Sequence, residues 1–191
     1  MSDPSDHPPT RVPETFHRHR AASLVLVFTG DGKGKTTAAI GTVVRAVARG
    51  WKVCVVQFVK SGRWRSGEEE VGRRLGVEWR TLGRGFSWES EDLDRDREAA
   101  VRAWEVARES ITGGAFDLVV IDEITYPMTW GWISSDQVTG TIRGRPAHVH
   151  IIATGRDAPE ALMAVADTVT EMRNVRHAFD RGVAARRGID F

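Results

Sequence analysis

A chain of 191 residues, 41% apolar and 28% charged, has the length and composition of one compact domain with a real core, and is short for two. Its formal charge of +1 supplies no global field for nucleic acid or an anionic membrane, and no apolar run reaches transmembrane length. The single cysteine, Cys54, cannot form an internal disulfide; set in an apolar run, it reads as a buried structural thiol and points to a cytoplasmic protein.

Residues 1–20, "MSDPSDHPPTRVPETFHRHR", hold four prolines and little that could form a core, so a flexible N-terminal tail is expected, with the domain over 21–191. His17 and His19 flank Arg18 with no carboxylate or thiol arranged beside them, which suits a polar tail better than a metal site. From Ala21 the pattern becomes strand, loop, helix. "SLVLVF" is a continuous apolar run, as expected of a strand covered on both faces. Ile40, Val43, Val44 and Val47 follow at helical spacing, and Gly50 stands where a helix would stop. "KVCVVQF" is a second buried strand and "VEWRTL" a weaker third. "SEDLDRDREAAVRAWEVARESI" predicts a long amphipathic helix with Ser90 as N-cap and acidic residues in its first turn. "FDLVVIDE" and "HVHIIATG" are further buried strands, with "SSDQVTGTI" a short helix between them; "APEALMAVA" is another helix and "DTVTEM" a last strand. This alternation predicts an α/β fold, a mostly parallel sheet with helices on both faces. Such sheets bind ligands beyond the carboxyl ends of their strands, which directs attention to the segments after Phe28, Phe58, Ile121 and Ala153.

The first of those segments, "FTGDGKGKTTAA" over residues 28–39, carries the end of a G-x-x-x-x-G-K-[ST] loop in Gly34, Lys35 and Thr36. The first consensus glycine is replaced by Thr29, so Gly30 and Gly32 must supply the backbone freedom. Glycines let consecutive amides converge on an anion, and the helix that follows adds its positive end. Lys35 brings a point charge, and the Thr36 hydroxyl can ligate magnesium. The loop makes the expected fold P-loop NTPase-like, of the RecA-like kind. Asp122 and Glu123 end "FDLVVIDE", where a carboxylate can reach magnesium directly or through water; capping the next helix is the competing role. Arg156, just past Thr154 and Gly155, is placed either to hold a phosphate or as a plain surface arginine. These features say nucleotide and magnesium and stop short of the reaction, since a motor ATPase, a kinase and an adenosyl transferase share them.

"LGRGFSWES", residues 82–90, puts Phe86 and Trp88 in a glycine-containing loop, as a platform against a large planar ligand or as satellite core. Together with "TGDGKGKTTAA", "VVQFVKSG", "VVIDEIT", "IIATGRDAP", "ADTVTEM" and "RHAFDRGVAARRGIDF", it gives a chain that closely resembles the P-loop type of ATP:corrinoid adenosyltransferase from about residue 22 to its end. The resemblance implies that ATP lies in the loop with its triphosphate reversed, so that corrinoid cobalt, as Co(I), attacks the ribose 5′ carbon and expels the whole triphosphate. It implies that Gly32, Lys33, Gly34, Lys35, Thr36 and Thr37 cradle the triphosphate; Gly30, Asp31 and Arg156, beside them in the loop and at the neighbouring strand end, complete the expected nucleotide site. Thr36 and Glu123 would hold magnesium, with Asp122 behind them or acting through water. The catalytic roles would fall on Lys35, which steadies the leaving triphosphate, and on Phe86 and Trp88, which press on the corrin and displace its lower axial ligand. A reduced flavin or flavoprotein would donate electrons, and the expected unit is a homodimer.

Asp31 stands where relatives of this kind are expected to carry asparagine; its charge would be offset by magnesium, Lys33 or Arg156, or used to orient the loop. His177 is expected to pack into the C-terminal segment, with a catalytic role as the alternative. Trp130 and Trp132 are expected in core or dimer contacts, with a corrin contact as the alternative. The basic clusters "RGRPAH" and "VARRGIDF" suit a solvated or substrate-facing surface better than nucleic acid. A P-loop ATPase acting on nucleic acid, a small-molecule kinase and a non-catalytic binding module are the rival readings, and none of them accounts for the "GFSW" and C-terminal blocks together.

Overall fold

The computed structural model describes residues 20–61, 66–83 and 92–190. Strands β1 (Val25–Thr29), β2 (Val53–Ser61), β3 (Glu78–Gly83), β4 (Leu118–Asp122), β5 (His150–Thr154) and β6 (Thr168–Glu171) form one sheet. Their order is β3-β2-β4-β5-β1-β6 and every pairing is parallel. The connecting helices are α1 (Lys35–Val47), α2 (Gly67–Arg74), α3 (Leu93–Thr112), α4 (Thr125–Thr129), α5 (Ser135–Arg143) and α6 (Glu160–Met163). A parallel sheet needs both faces covered, which explains why its central strands read as unbroken apolar runs; all of β4 is buried.

Two apolar clusters lie on either side of the sheet. One packs Ala39, Val43 and Ala46 of α1 against Phe28, Val55, Val120 and Ile152. The other packs Ala103, Trp104, Ala107 and Ile111 of α3, with Val138 and Ile142 of α5, against Val27, Val56, Ile121 and Ile151. Each fully buried Val or Ile side chain among them stabilises the fold by about 1.5–3 kcal/mol. Cys54 is buried as expected, and desolvation pushes its thiol up to about 11.

Several local expectations need correction. The buried stripe of α1 runs through positions 39, 43 and 46, so Val44 faces solvent. The N-cap of α3 is Asp92, whose side chain accepts from the Arg95 amide, and not Ser90. Helix α2 carries too little apolar periodicity to be seen in the sequence. It is held by its cap, Ser66 accepting from the Glu69 amide, and by the i,i+4 pairs of Arg73 with Glu69 and Arg74 with Glu70. Helix α4 is also unanticipated, being five residues long with Pro127 inside it. Because all six strands run the same way, the ends of β1, β2, β4 and β5 meet at one edge.

Candidate active site

The loop between β1 and α1 is shaped by the chain beneath it. The Gly32 amide donates to the Met172 carbonyl at 2.6 Å, just past β6. A Cβ on Gly30 or Gly32 would stand 2.6 or 2.7 Å from that same carbonyl oxygen, so no side chain fits at either position. Gly30 and Gly34 also adopt φ of +90° and +113°. Thr29, in place of the consensus glycine, ends β1 and its hydroxyl accepts from the Ala158 amide at 3.1 Å. The missing consensus letter is therefore a tie between the end of β1 and the segment that leads into α6.

Helix α1 starts at Lys35 with Gly34 as N-cap, no side-chain cap and no acidic residue in its first turn. Its first amides are left for an anion. Lys35 Nζ folds back over the loop, donating to the carbonyls of Gly30 at 2.5 Å and Gly32 at 2.7 Å. Burial and the nearby Arg156 lower its pKa, while Asp31 and Glu123 act in the opposite sense. Asp31 is exposed on the cavity wall and so reaches Lys35 through its charge.

Asp122 is fully buried at the end of β4. Its Oδ1 accepts from Thr36 Oγ1 at 2.9 Å and Thr154 Oγ1 at 2.7 Å, and its Oδ2 from Gln57 Nε2 at 3.0 Å. Glu123 follows with φ of 67°, a left-handed conformation that costs a non-glycine residue about 1–3 kcal/mol. Its amide is held by Thr154 Oγ1 at 2.9 Å. The turn carries the Glu123 side chain into the cavity, where Oε2 is buried with no hydrogen-bond partner among the described residues. Burial, and then repulsion from Asp122, raise its pKa to about 7.

These groups line a cavity of about 470 Å³. Of the predicted nucleotide residues, Asp31, Gly32, Lys33, Gly34, Lys35, Thr36, Thr37 and Arg156 stand on its wall together with Glu123; Gly30 lies beneath, receiving the Lys35 ammonium. Asp122 sits behind the wall, against Thr36. Phe86 and Trp88 lie outside the described residues. Five wall residues were not singled out as ligand contacts in the sequence: Lys60, Glu68, Tyr126, His177 and Asp190. Lys60 follows Phe58 at a strand end, which was the available signal, and it pairs with Glu68 of α2 at 3.8 Å. Asp190 reaches back from the C-terminus to pair with Lys33 at 2.9 Å, while its other oxygen accepts from the Arg186 amide. His177 is part of the cavity wall, beyond the packing role expected of it; its Nδ1 accepts from the Phe179 amide at 3.1 Å. Trp130 is at the surface and not in the core: Tyr126 stacks on it at 5.6 Å and Trp132 meets it tilted at 4.7 Å.

Among the described residues no three His, Cys, Asp or Glu side chains gather as a dedicated metal centre. A cation at this edge would be held by one hydroxyl, one carboxylate and the phosphates of a nucleotide, which is how magnesium sits with nucleotides. Thr36 donates its proton to Asp122, leaving its oxygen lone pairs available, and the unpartnered Glu123 Oε2 is a suitable anionic ligand. The residues fit magnesium.

Comparison with known proteins gives a consistent set of matches. A family profile described as ATP:corrinoid adenosyltransferase BtuR/CobO/CobP matches residues 21–191. A corrinoid adenosyltransferase, CobA, of Salmonella typhimurium is 42% identical over 168 residues, covering 88% of this chain and 85% of that one. A corrinoid adenosyltransferase of Escherichia coli K12 is 41% identical over the same shares. One from Pseudomonas aeruginosa is 42% identical over 170 residues, 88% of this chain and 83% of its own.

Proposed function

This chain belongs to the ATP:corrinoid adenosyltransferase family, and we propose that it transfers the 5′-deoxyadenosyl group of ATP to the cobalt of a corrinoid with the three phosphates leaving as one. The enzyme class and its corrinoid and ATP substrates follow from the family, and the activity belongs to cobalamin biosynthesis or salvage. The P-loop ATPase and small-molecule kinase readings are not favoured.

The observation that carries the site assignment is the pairing of an uncapped α1 N-terminus with the buried, unpartnered Glu123 Oε2 across the same cavity. The first attracts a polyanion; the second calls for a cation beside it. On this reading the triphosphate lies along Gly32 to Thr37, with Lys33, Lys35 and Arg156 as counter-charges, and Thr36 and Glu123 hold magnesium with Asp122 behind Thr36. When bound, magnesium neutralises phosphate charge and so makes triphosphate a better leaving group. Lys35 breaks its bonds to the Gly30 and Gly32 carbonyls and turns its ammonium onto phosphate oxygens.

The corrinoid substrate reacts as Co(I). The cobalt lone pair forms the bond to C5′, the C5′–O bond breaks with its electrons leaving on triphosphate, and cobalt becomes formally Co(III). No general base is required, because no proton leaves the nucleophile. The protein's work is alignment and charge stabilisation. Reaching Co(I) from Co(II) takes one electron, for which we propose a reduced flavin or flavoprotein. Phe86 and Trp88 are assigned to the corrin, where loss of the lower axial ligand eases that reduction. The support for these roles, and for a homodimer, is the family likeness. A cytoplasmic setting is supported by the buried, unreactive thiol of Cys54, and among the described residues no helix is long and apolar enough to cross a membrane.

The test is anaerobic incubation with ATP, magnesium and chemically reduced cobalamin while the visible spectrum is followed. A light-sensitive adenosyl–cobalt spectrum is expected. Cobalamin that stays unalkylated while ATP is consumed would refute the proposal.

A further inference from the structure

Behind the phosphate loop, side chains of β3, β2 and β4 form a hydrogen-bonded relay whose direction chemistry alone decides. Trp79 of β3 offers an indole N–H, which can only donate, and Asp122 of β4 offers a carboxylate, which as an anion can only accept. Gln57 of β2 lies between them. Its Oε1 accepts from Trp79 Nε1 at 2.9 Å and from Thr81 Oγ1 at 3.3 Å, and its Nε2 donates to Asp122 Oδ2 at 3.0 Å. The register places Gln57 opposite Thr81 on one side and Asp122 on the other, so all three project from the same face. The relay is dry: Trp79 is 3% exposed, Gln57 1% and Asp122 0%. An amide held between a donor-only and an acceptor-only group has one workable orientation. Turned over, it would aim its oxygen at the carboxylate and its NH₂ at the indole N–H.

We propose that Gln57, oriented by Trp79, is a positioning residue of the phosphate site, fixing the Asp122 carboxylate so that Oδ1 takes the Thr36 hydroxyl proton and the Thr36 oxygen faces the cation. The proposal rests on the magnesium reading given above. The bland alternative is a polar plug in the core, which would affect stability and nothing else. The two differ in what they do to metal-dependent nucleotide binding. With Gln57 gone, Asp122 Oδ2 is left buried with one donor fewer, the carboxylate turns to find another, and Thr36 is released to rotate.

The test uses the full chain and calorimetric titration of ATP in the presence of magnesium and, separately, of a chelator. The quantity read is the magnesium-dependent gain in affinity, alongside the melting temperature. Gln57→Leu should lower that gain tenfold or more and leave binding under chelation within about twofold. Trp79→Phe keeps the ring but frees the amide to turn, and should lower the gain several-fold; it also decides the matter if Gln57→Leu does not fold. In a Thr36→Val background, Gln57→Leu should have little further effect on the gain, because the pair acts through one hydroxyl. Variants that melt lower yet keep the full wild-type gain would overturn the proposal and leave the magnesium reading standing. A wild-type chain with no magnesium-dependent gain would overturn both.

Discussion

The cavity has two unlike walls. On the side built by β1, β4, β5 and the start of α1, the key polar groups are already committed: Asp122 takes three hydrogen bonds, Thr154 both gives and takes, and the loop glycines sit against Met172 with no room for a side chain. On the side built by the C-terminal segment, the half-buried Asp190 carboxylate is tied by its pair with the exposed Lys33 and by one backbone amide. An exposed ion pair contributes little, while a buried network cannot be entered without loss. The first wall is preorganised for an anion and a cation. The second occupies Lys33 with a carboxylate; on the proposed nucleotide reading a phosphate would replace that carboxylate and this wall would yield.

Substitutions should separate the walls by size of effect. Lys35→Ala removes the ammonium folded over the loop and should lower turnover by about 100- to 1000-fold, read from initial rates of adenosylation. Gly155→Ala should hurt through packing and backbone strain, without touching the cavity. The position has φ of 141°, and a Cβ there would stand 1.9 Å from Thr125 Oγ1. A destabilisation of about 1–3 kcal/mol is expected by chemical denaturation. Glu123 gives a pH signature. Burial raises its pKa from 4.5 to about 7, so the folded state binds this proton more tightly than the unfolded chain does. Its contribution to the metal-free protein is full below pH 4.5 and is lost as pH rises through about 7. Melting temperature in chelator should fall across that window, and Glu123→Gln should flatten the fall. The smallest effect belongs to the yielding wall: Asp190→Asn frees Lys33 and should tighten ATP binding by no more than a few-fold. A tenfold weakening instead would make the C-terminal wall part of the rigid site, and the contrast would fail.

The sequence made the rigid wall far more legible than the yielding one. Strand runs such as "FDLVVIDE" are continuous because a parallel sheet buries both faces, and the loop that follows β1 announces itself through residue types with few other uses. Asp122 and Glu123 were visible as a strand-end pair, but only the fold shows their division of labour, one carboxylate saturated by donors and the other left open. Gly30 and Gly32 could be read as freedom for an anion; that they also make way for the Met172 carbonyl depends on β6 docking beside β1, a contact across more than 130 residues of chain. The other wall was largely invisible for the same reason. His177 and Asp190 reach the loop by topology, and no local pattern marks a side chain whose partner is that far away. Helix α2, which brings Glu68 to Lys60, is held by charge pairs and a cap, and apolar periodicity cannot find such a helix. Phe86 and Trp88, central to the reading by resemblance, lie outside the described residues.

The central claim is that the bond broken in ATP is C5′–O, with the phosphates departing together. It is tested most directly with ATP carrying ¹³C at C5′, incubated anaerobically with the protein, magnesium and Co(I) cobalamin, and followed by ¹³C and ³¹P NMR. The account predicts a cobalt-bound labelled carbon and tripolyphosphate in equal amounts. Labelled carbon that stays in ADP, with inorganic phosphate accumulating, would contradict it.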